Sequence, residues 1–159
     1  MAYCTDSSPA VGEHNEVHTT QRNPLGAVRL FSNGNYYIYL KGVASVVAGS
    51  TVVYQPGVWT AVLVATTVKG SVAIAQAVVD AATKYGWFLH IGNDVITVRT
   101  ACTSNVALFA GGVAGYVDVA AVKGDQIFNM WIRNAAAAAG SAQVQVDRAF
   151  IGASNESTG

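Results

Sequence analysis

Apolar residues in this chain come in short runs separated by turns that contain glycine, asparagine or proline. This spacing predicts an all-β protein with many short strands. The densest bulky run is residues 87–89, and Gly86 and Gly92 on either side predict a short buried strand between two turns. Alternation within the runs predicts the structural core, whose candidates are Ile38, Leu40, Trp87, Leu89, Phe128, Ile132, Val144 and Val146.

Three turn signals divide the first two thirds of the chain. Asn33 and Gly34 lie between two apolar runs and predict a type I′ hairpin, because both residues tolerate positive φ. Pro56 and Gly57 fit the two central positions of a type II turn. Residues 92–94 predict a second hairpin after the Trp87 cluster.

In the tyrosine-rich run after the first hairpin, even- and odd-numbered residues fall on opposite faces of the predicted strand. Tyr36, Ile38 and Leu40 lie on one face of the predicted strand, and we expect that face to point inward. Tyr37 and Tyr39 share the other face with a lysine. The same rule places Phe128 on one face with Met130 and Ile132 in a later strand.

Three other stretches need a decision between structures. Residues 58–68 predict a long strand. Residues 74–85 fit both helical spacing and a strand followed by an alanine-rich loop, and the β-like flanks favour strand and loop. Residues 135–139 are all alanine, but five residues do not repay helix nucleation, so a hairpin loop is predicted.

The length of 159 residues fits a single domain. Residues 1–24 are polar, lack periodicity and end at a proline, so we interpret them as an extended N-terminal arm that orders against a neighbour. Residues 25–151 form the β-domain, and residues 152–159 form a short polar tail.

Composition narrows the possible functions. Only 11% of the residues are charged and the net charge is zero, against roughly 25% charged residues in an average soluble domain. The basic residues are scattered, so no nucleic-acid partner is predicted. No apolar run reaches the length of a membrane helix, and the first residues do not resemble a signal peptide, so no membrane partner is expected. Cys4 and Cys102 are interpreted as free thiols.

Few residues could carry chemistry. His14 and His18 are four apart in a histidine- and glutamate-rich stretch, but their order departs from the zinc-protease pattern and a solvated arm is favoured. His90 is interpreted as a hydrogen-bonded residue at a strand end, and Cys102 is not favoured as a nucleophile. The sequence therefore predicts no catalytic residue, no metal and no cofactor.

One enzyme family has a comparable fold class and chain length. Trimeric dUTP-hydrolysing enzymes are all-β and of similar length, and residues 115–118 (GYVD) faintly resemble their substrate motif. The tyrosine and glycine that should follow the motif are missing, and so are the arginine and the Gly-Phe-Gly that should precede the terminal STG. An enzyme of this kind is therefore not favoured.

Four stretches resemble the capsid decoration, or cement, proteins of tailed bacteriophages. They are residues 25–41, which include NGNYYIYLK, residues 46–53 (VVAGSTVV), residues 85–92 (YGWFLHIG) and the small-residue segment 107–121. Together they span roughly residues 25–125. These motifs are turn and core patterns that carry no functional signature.

The resemblance implies a compact β-barrel or tulip-like domain that forms a homotrimer. It implies binding to the major capsid protein on the outer surface of the head, after synthesis in the cytoplasm of the host bacterium. On this interpretation the arm contacts a neighbour, and its candidate contact residues are Tyr3, Glu13, His14, Glu16, His18 and Arg22. A tail- or fibre-associated β-module for host attachment remains the alternative.

Overall fold

The computed structural model describes residues 13–99, 101–119, 125–134, 136 and 138–152. All the regular elements in these ranges are strands, as the sequence predicts. Tyr3 and Cys4 lie outside the described residues. The strands are β1 Val17–His18, β2 Val28–Leu30, β3 Tyr36–Lys41, β4 Thr51–Tyr54, β5 Val62–Leu63, β6 Gly70–Ala75, β7 Tyr85–Val98, β8 Leu108–Ala110, β9 Val117–Asp118, β10 Gln126–Ile132 and β11 Gly140–Ile151.

The strands join into one sheet whose order is β2-β3-β7-β9-β8-β10-β11-β6-β4-β5, with β1 added to β7. β7 also pairs with β11 and β6. The pairings from β7 through β9, β8, β10 and β11 therefore return to β7 and form a closed circuit. Among the described strands only β7 and β9 run parallel, so most connections are the short ones that antiparallel neighbours allow.

β7 is the strand on which the sheet depends, and its continuity corrects two predictions. The chain does not turn at Gly86, nor at residues 92–94, because β7 runs unbroken through both. A Cβ at Gly86 would lie 2.7 Å from Cγ2 of Val79, and a Cβ at Gly92 would overlap the Asn35 side chain. These glycines therefore serve close packing within a strand and not a change of direction.

Two apolar cores lie on opposite faces of the sheet. The larger core contains Trp87, Leu89, Ile132, Val144 and Val146, all predicted core residues. The smaller core contains Ile38 and Leu40, also predicted, together with Phe88. Because Trp87 and Leu89 face one core and Phe88 faces the other, the first half of β7 is buried on both sides.

Strand β3 is also buried on both faces, which corrects the parity prediction. Ile38 and Leu40 point inward as expected, but Tyr37 and Tyr39 on the opposite face are completely buried in the larger core. Tyr36, predicted to point inward, is 40% exposed. The pairing of β3 with β7 shifts register between Tyr36 and Tyr37, so the alternation does not extend back to Tyr36.

Phe128 is the predicted core residue that the structure places outside. It is 42% exposed, whereas Ile127, Met130 and Ile132 are buried. The pairing of β10 with β11 shifts register between Phe128 and Met130, and Asn129 between them has φ of 60°. A bulge interrupts the period of two, so residues on its two sides no longer share a face by simple alternation.

The turns follow the predictions in part. β2 and β3 form the expected hairpin, but only Gly34 has positive φ, and Phe31 and Asn35 close a three-residue loop instead of a type I′ turn. The amide of Val58 donates to the carbonyl of Gln55 across Pro56 and Gly57, as a type II turn requires.

Of two further strand predictions, one is wrong and one is confirmed. Residues 58–68 do not form a long strand, because Trp59 adopts φ of 55° and only β5 within this range is extended. The prediction of a strand followed by a loop at 74–85 is confirmed, since β6 ends at Ala75 and no helix follows before β7.

Candidate interaction surface

Phe128 and Phe150 form an exposed aromatic contact on the sheet. They are direct partners across β10 and β11, and their rings stack with centroids 5.2 Å apart. Phe128 is 42% and Phe150 43% exposed. A pair of stacked, solvent-facing phenylalanines is a typical feature of a protein interface. We call Phe128 and Phe150 the aromatic patch.

The backbone beside the aromatic patch is strained. Asn129 on β10 has φ of 60°, and Arg148 on β11 has φ of 49°. Left-handed backbone at residues other than glycine costs on the order of 1 kcal/mol each. Bulges in natural sheets often re-aim a side chain, and this one turns Phe128 toward solvent. The fold therefore accepts strain at the place where it exposes two aromatic rings.

A second feature of β10 and β11 lies beyond the bulge. Trp131 pairs with Gln145, and Gln145 pairs with Asn93 of β7. In the next row, the Arg133 amide donates to the Gln143 carbonyl, and Gln143 pairs with Val95. Paired residues of antiparallel strands point to the same face. The result is an open cleft of about 450 Å³, lined by Asn93, Asp94, Val95, Arg133, Gln143, Val144 and Gln145.

The predicted arm residues 13–24 lie against the chain's own sheet. The His14 ring stacks on Tyr37 at 4.8 Å, and β1 pairs with the start of β7. His18 is 6% exposed, so the interpretation of this stretch as a solvated arm is wrong at His18. Glu13 and Glu16 remain exposed, and the backbone amide of Arg22 donates to the Tyr39 hydroxyl.

A hydrogen-bonded chain joins the arm to β3. Nδ1 of His18 lies 2.7 Å from the Tyr39 hydroxyl, and Nε2 lies 3.2 Å from Oε2 of Glu16. Burial raises the pKa of Tyr39, and the hydrogen bond from Arg22 opposes that rise. Because Tyr39 stays protonated, its hydroxyl accepts from the Arg22 amide and shares a hydrogen bond with Nδ1 of His18 whose direction follows the His18 tautomer. The arrangement holds the arm in place.

Tyr37 is held in a similar way. Its hydroxyl accepts hydrogen bonds from the side-chain amides of Asn33, at 2.7 Å, and Asn35, at 3.2 Å. Burial raises the pKa of Tyr37. Asn35 also bonds to the backbone of Asn93, through Nδ2 to the carbonyl at 3.0 Å and through Oδ1 to the amide at 3.2 Å. The first hairpin thus fixes the middle of β7.

His90 belongs to β7 and not to a strand end. Its Nδ1 lies 3.3 Å from the Tyr54 hydroxyl. Burial lowers the pKa of His90, and the nearby Arg148 lowers it further. Burial also raises the pKa of Tyr54, so both groups are neutral near pH 7.

Other candidate chemistry is sparse in the part of the chain that the structure describes. No three histidine, cysteine, aspartate or glutamate side chains converge there as metal ligands would. Cys102 is buried and unbridged. None of the described residues builds a helix of membrane-spanning length and hydropathy.

Sequence reasoning did not identify the aromatic patch or the cleft. The signal for the patch was Asn129, a residue that adopts left-handed backbone more readily than most, in the middle of an apolar strand. The signal for the cleft was the alternation of Gln143 and Gln145 with buried valines. No protein-family model matches the chain, and a search of curated proteins finds no significant match.

Proposed function

We propose that this chain is a structural virion protein. It binds the outer surface of an icosahedral phage head as a homotrimer and stabilises the expanded shell. The observation that carries the proposal is the aromatic patch on a body with no net charge. The resemblance of four stretches to phage decoration proteins supplies the head as the site of binding.

The sheet topology supports the finer description of the fold. A circuit of strand pairings that closes on β7 is what a compact β-barrel or tulip-like domain requires. Such a domain leaves few open edges, and its outward faces are free to contact other proteins. We assign Phe128 and Phe150 as the anchors that enter an apolar depression on the major capsid protein.

The proposed mechanism is multivalency. A trimer carries three aromatic patches, and when one patch releases the shell the other two hold it at high effective concentration. Three modest contacts thereby act as one tight contact. Repetition over the shell opposes the outward strain of packed DNA, and only the expanded lattice presents all the contacts in register.

Part of the N-terminal arm remains available to contact a neighbouring subunit. Within residues 13–24, His14 stacks on Tyr37 and His18 is buried, whereas Glu13, Glu16 and Arg22 are exposed. A contact with a neighbouring subunit is therefore left to these three residues and to those preceding Glu13, which include the candidate Tyr3.

The test uses expanded heads of the phage that encodes this chain, prepared without it. Adding the purified protein is expected to raise the temperature at which the heads rupture. The double variant Phe128→Ser/Phe150→Ser is expected to raise it far less. Val58→Ser is the matched control, because Val58 is 61% exposed and lies outside the patch. Equal rupture temperatures with and without the wild-type protein would refute the proposal.

The amide-lined cleft beside Trp131 favours a second candidate, a tail- or fibre-associated module for host attachment. Copy number separates the two. Many copies per virion on the head surface fit the decoration protein, and a few copies at the tail fit the attachment module. Hydrolysis of dUTP by the purified protein would instead support the enzyme that the sequence did not favour.

A further inference from the structure

Several side-chain amides line the cleft, and one large aromatic ring, Trp131, lies beside it, paired with the lining residue Gln145. Trp131 is 41% exposed and stands next to Gln145, with Asn93 on the far side. Adjacent strands are about 4.8 Å apart, so this row is roughly 10 Å wide. Gln143 and Arg133 form the parallel row two residues along the strands. These dimensions suit one or two six-membered rings.

One side-chain amide and one stretch of backbone in this cleft are held in place before any ligand arrives. Nδ2 of Asn134 donates to Oε1 of Gln143 at 2.9 Å, which leaves the NH₂ group of Gln143 to donate elsewhere. The backbone of Asn93 is fixed on both sides by Asn35. Groups that are already oriented lose less entropy when they bind a ligand.

The chemistry of the cleft matches a sugar. A hydroxyl both donates and accepts, and a carboxamide offers both functions in one plane. An indole ring provides a flat apolar face for the C–H face of a pyranose and a polar N–H at its edge. Asp94 pairs with the buried Val144 and so points to the other face, which leaves Arg133 as a single cation among several uncharged amides in the lining.

We propose that this cleft binds a neutral oligosaccharide. Trp131 stacks on a pyranose ring, while Gln143, Gln145 and Asn93 bind its hydroxyls. The cleft volume of about 450 Å³ lies in the range of small-molecule sites. A protein partner fits less well, because Trp131 and Val95 are the large apolar side chains that this part of the described surface offers.

The proposal does not depend on the head-binding function, because it concerns different side chains. The aromatic patch lies before the bulge of β10, and Trp131 lies after it. Head binding without sugar binding would therefore refute only the sugar site. Sugar binding without head binding would refute only the proposed function.

The experiment exposes the full-length protein to an array of neutral bacterial and mammalian glycans and measures the affinity of each retained glycan by calorimetry. Trp131→Ala is expected to weaken binding about tenfold or more, the loss of one aromatic stacking contact. Gln143→Ala is expected to weaken it by a smaller factor. Phe150→Ala is the matched control and is expected to leave the affinity unchanged.

Three outcomes would overturn the proposal: no neutral glycan is retained, Trp131→Ala binds as well as the wild type, or Phe150→Ala weakens binding equally. Thermal melting of each variant separates a lost contact from a lost fold. In the second of these outcomes, a change in the oligomeric state of Trp131→Ala in solution would show that the surface is a subunit contact.

Discussion

The two halves of β7 lie in different surroundings. The first half, around Phe88, is covered on both faces, by the larger core on one side and by the smaller core and its loops on the other. The second half, around Val95, is buried on one face and exposed on the other. One strand thus belongs both to a doubly buried region and to an outward-facing region. The first stabilises the fold, and the second is available for recognition.

The largest contrast is expected between two phenylalanines. Phe88→Ala removes a completely buried ring from the smaller core and should lower the free energy of unfolding by about 3–5 kcal/mol. Phe128→Ala removes a ring from the aromatic patch and should change it by less than about 1 kcal/mol. Denaturant unfolding of both variants measures the difference. Equal losses would mean that the outward face is as structural as the core.

The same contrast explains what could be read from the sequence. Alternation placed Ile38, Leu40, Val144 and Val146 in the interior, where the structure has them. It failed at Tyr37, because a strand covered on both faces has no alternation to detect.

Two other predictions failed at single residues. Gly92 looked like a turn because sequence cannot show that Asn35, 57 positions earlier, packs where its Cβ would be. Phe128 looked buried because the bulge at Asn129 changes which residues share a face, and one asparagine in an apolar run does not by itself specify a bulge. Pairings between distant segments decide both, and a single sequence does not contain them.

The arm provides the next effect in size. A chain that begins at Pro24 loses the buried His18 and its hydrogen bond to Tyr39, as well as the stacking of His14 on Tyr37. We expect it to remain folded but to lose roughly 2 kcal/mol or more against a chain that begins at Glu13. Thermal melting compares the two. Identical melting would show that residues 13–23 contribute nothing to the doubly buried region.

Close packing at Gly86 gives a smaller effect. Gly86→Ala forces a methyl group against Cγ2 of Val79 and should destabilise by about 1–3 kcal/mol. Adding Val79→Ala makes room, so the double variant should be more stable than the sum of the two single changes predicts. Additive changes would show that the contact does not limit packing in the first half of β7.

The smallest effect is a pH dependence at the boundary between the two regions. Burial and Arg148 lower the pKa of His90 below its ordinary value near 6.5. The unfolded chain then binds a proton more readily than the folded chain, so stability is full above that value and falls as pH drops through it. His90→Gln should remove this part of the pH dependence. An unchanged profile would contradict the assignment.

The central claim is that the aromatic patch of Phe128 and Phe150 is the surface through which this protein adheres. Co-sedimentation with expanded heads tests it most directly. The wild type and Phe128→Ser/Phe150→Ser are compared at a temperature at which both proteins are fully folded. The account predicts saturable binding of many wild-type copies per head and a large loss in the variant. No binding by the wild type, or equal binding by both, would contradict it.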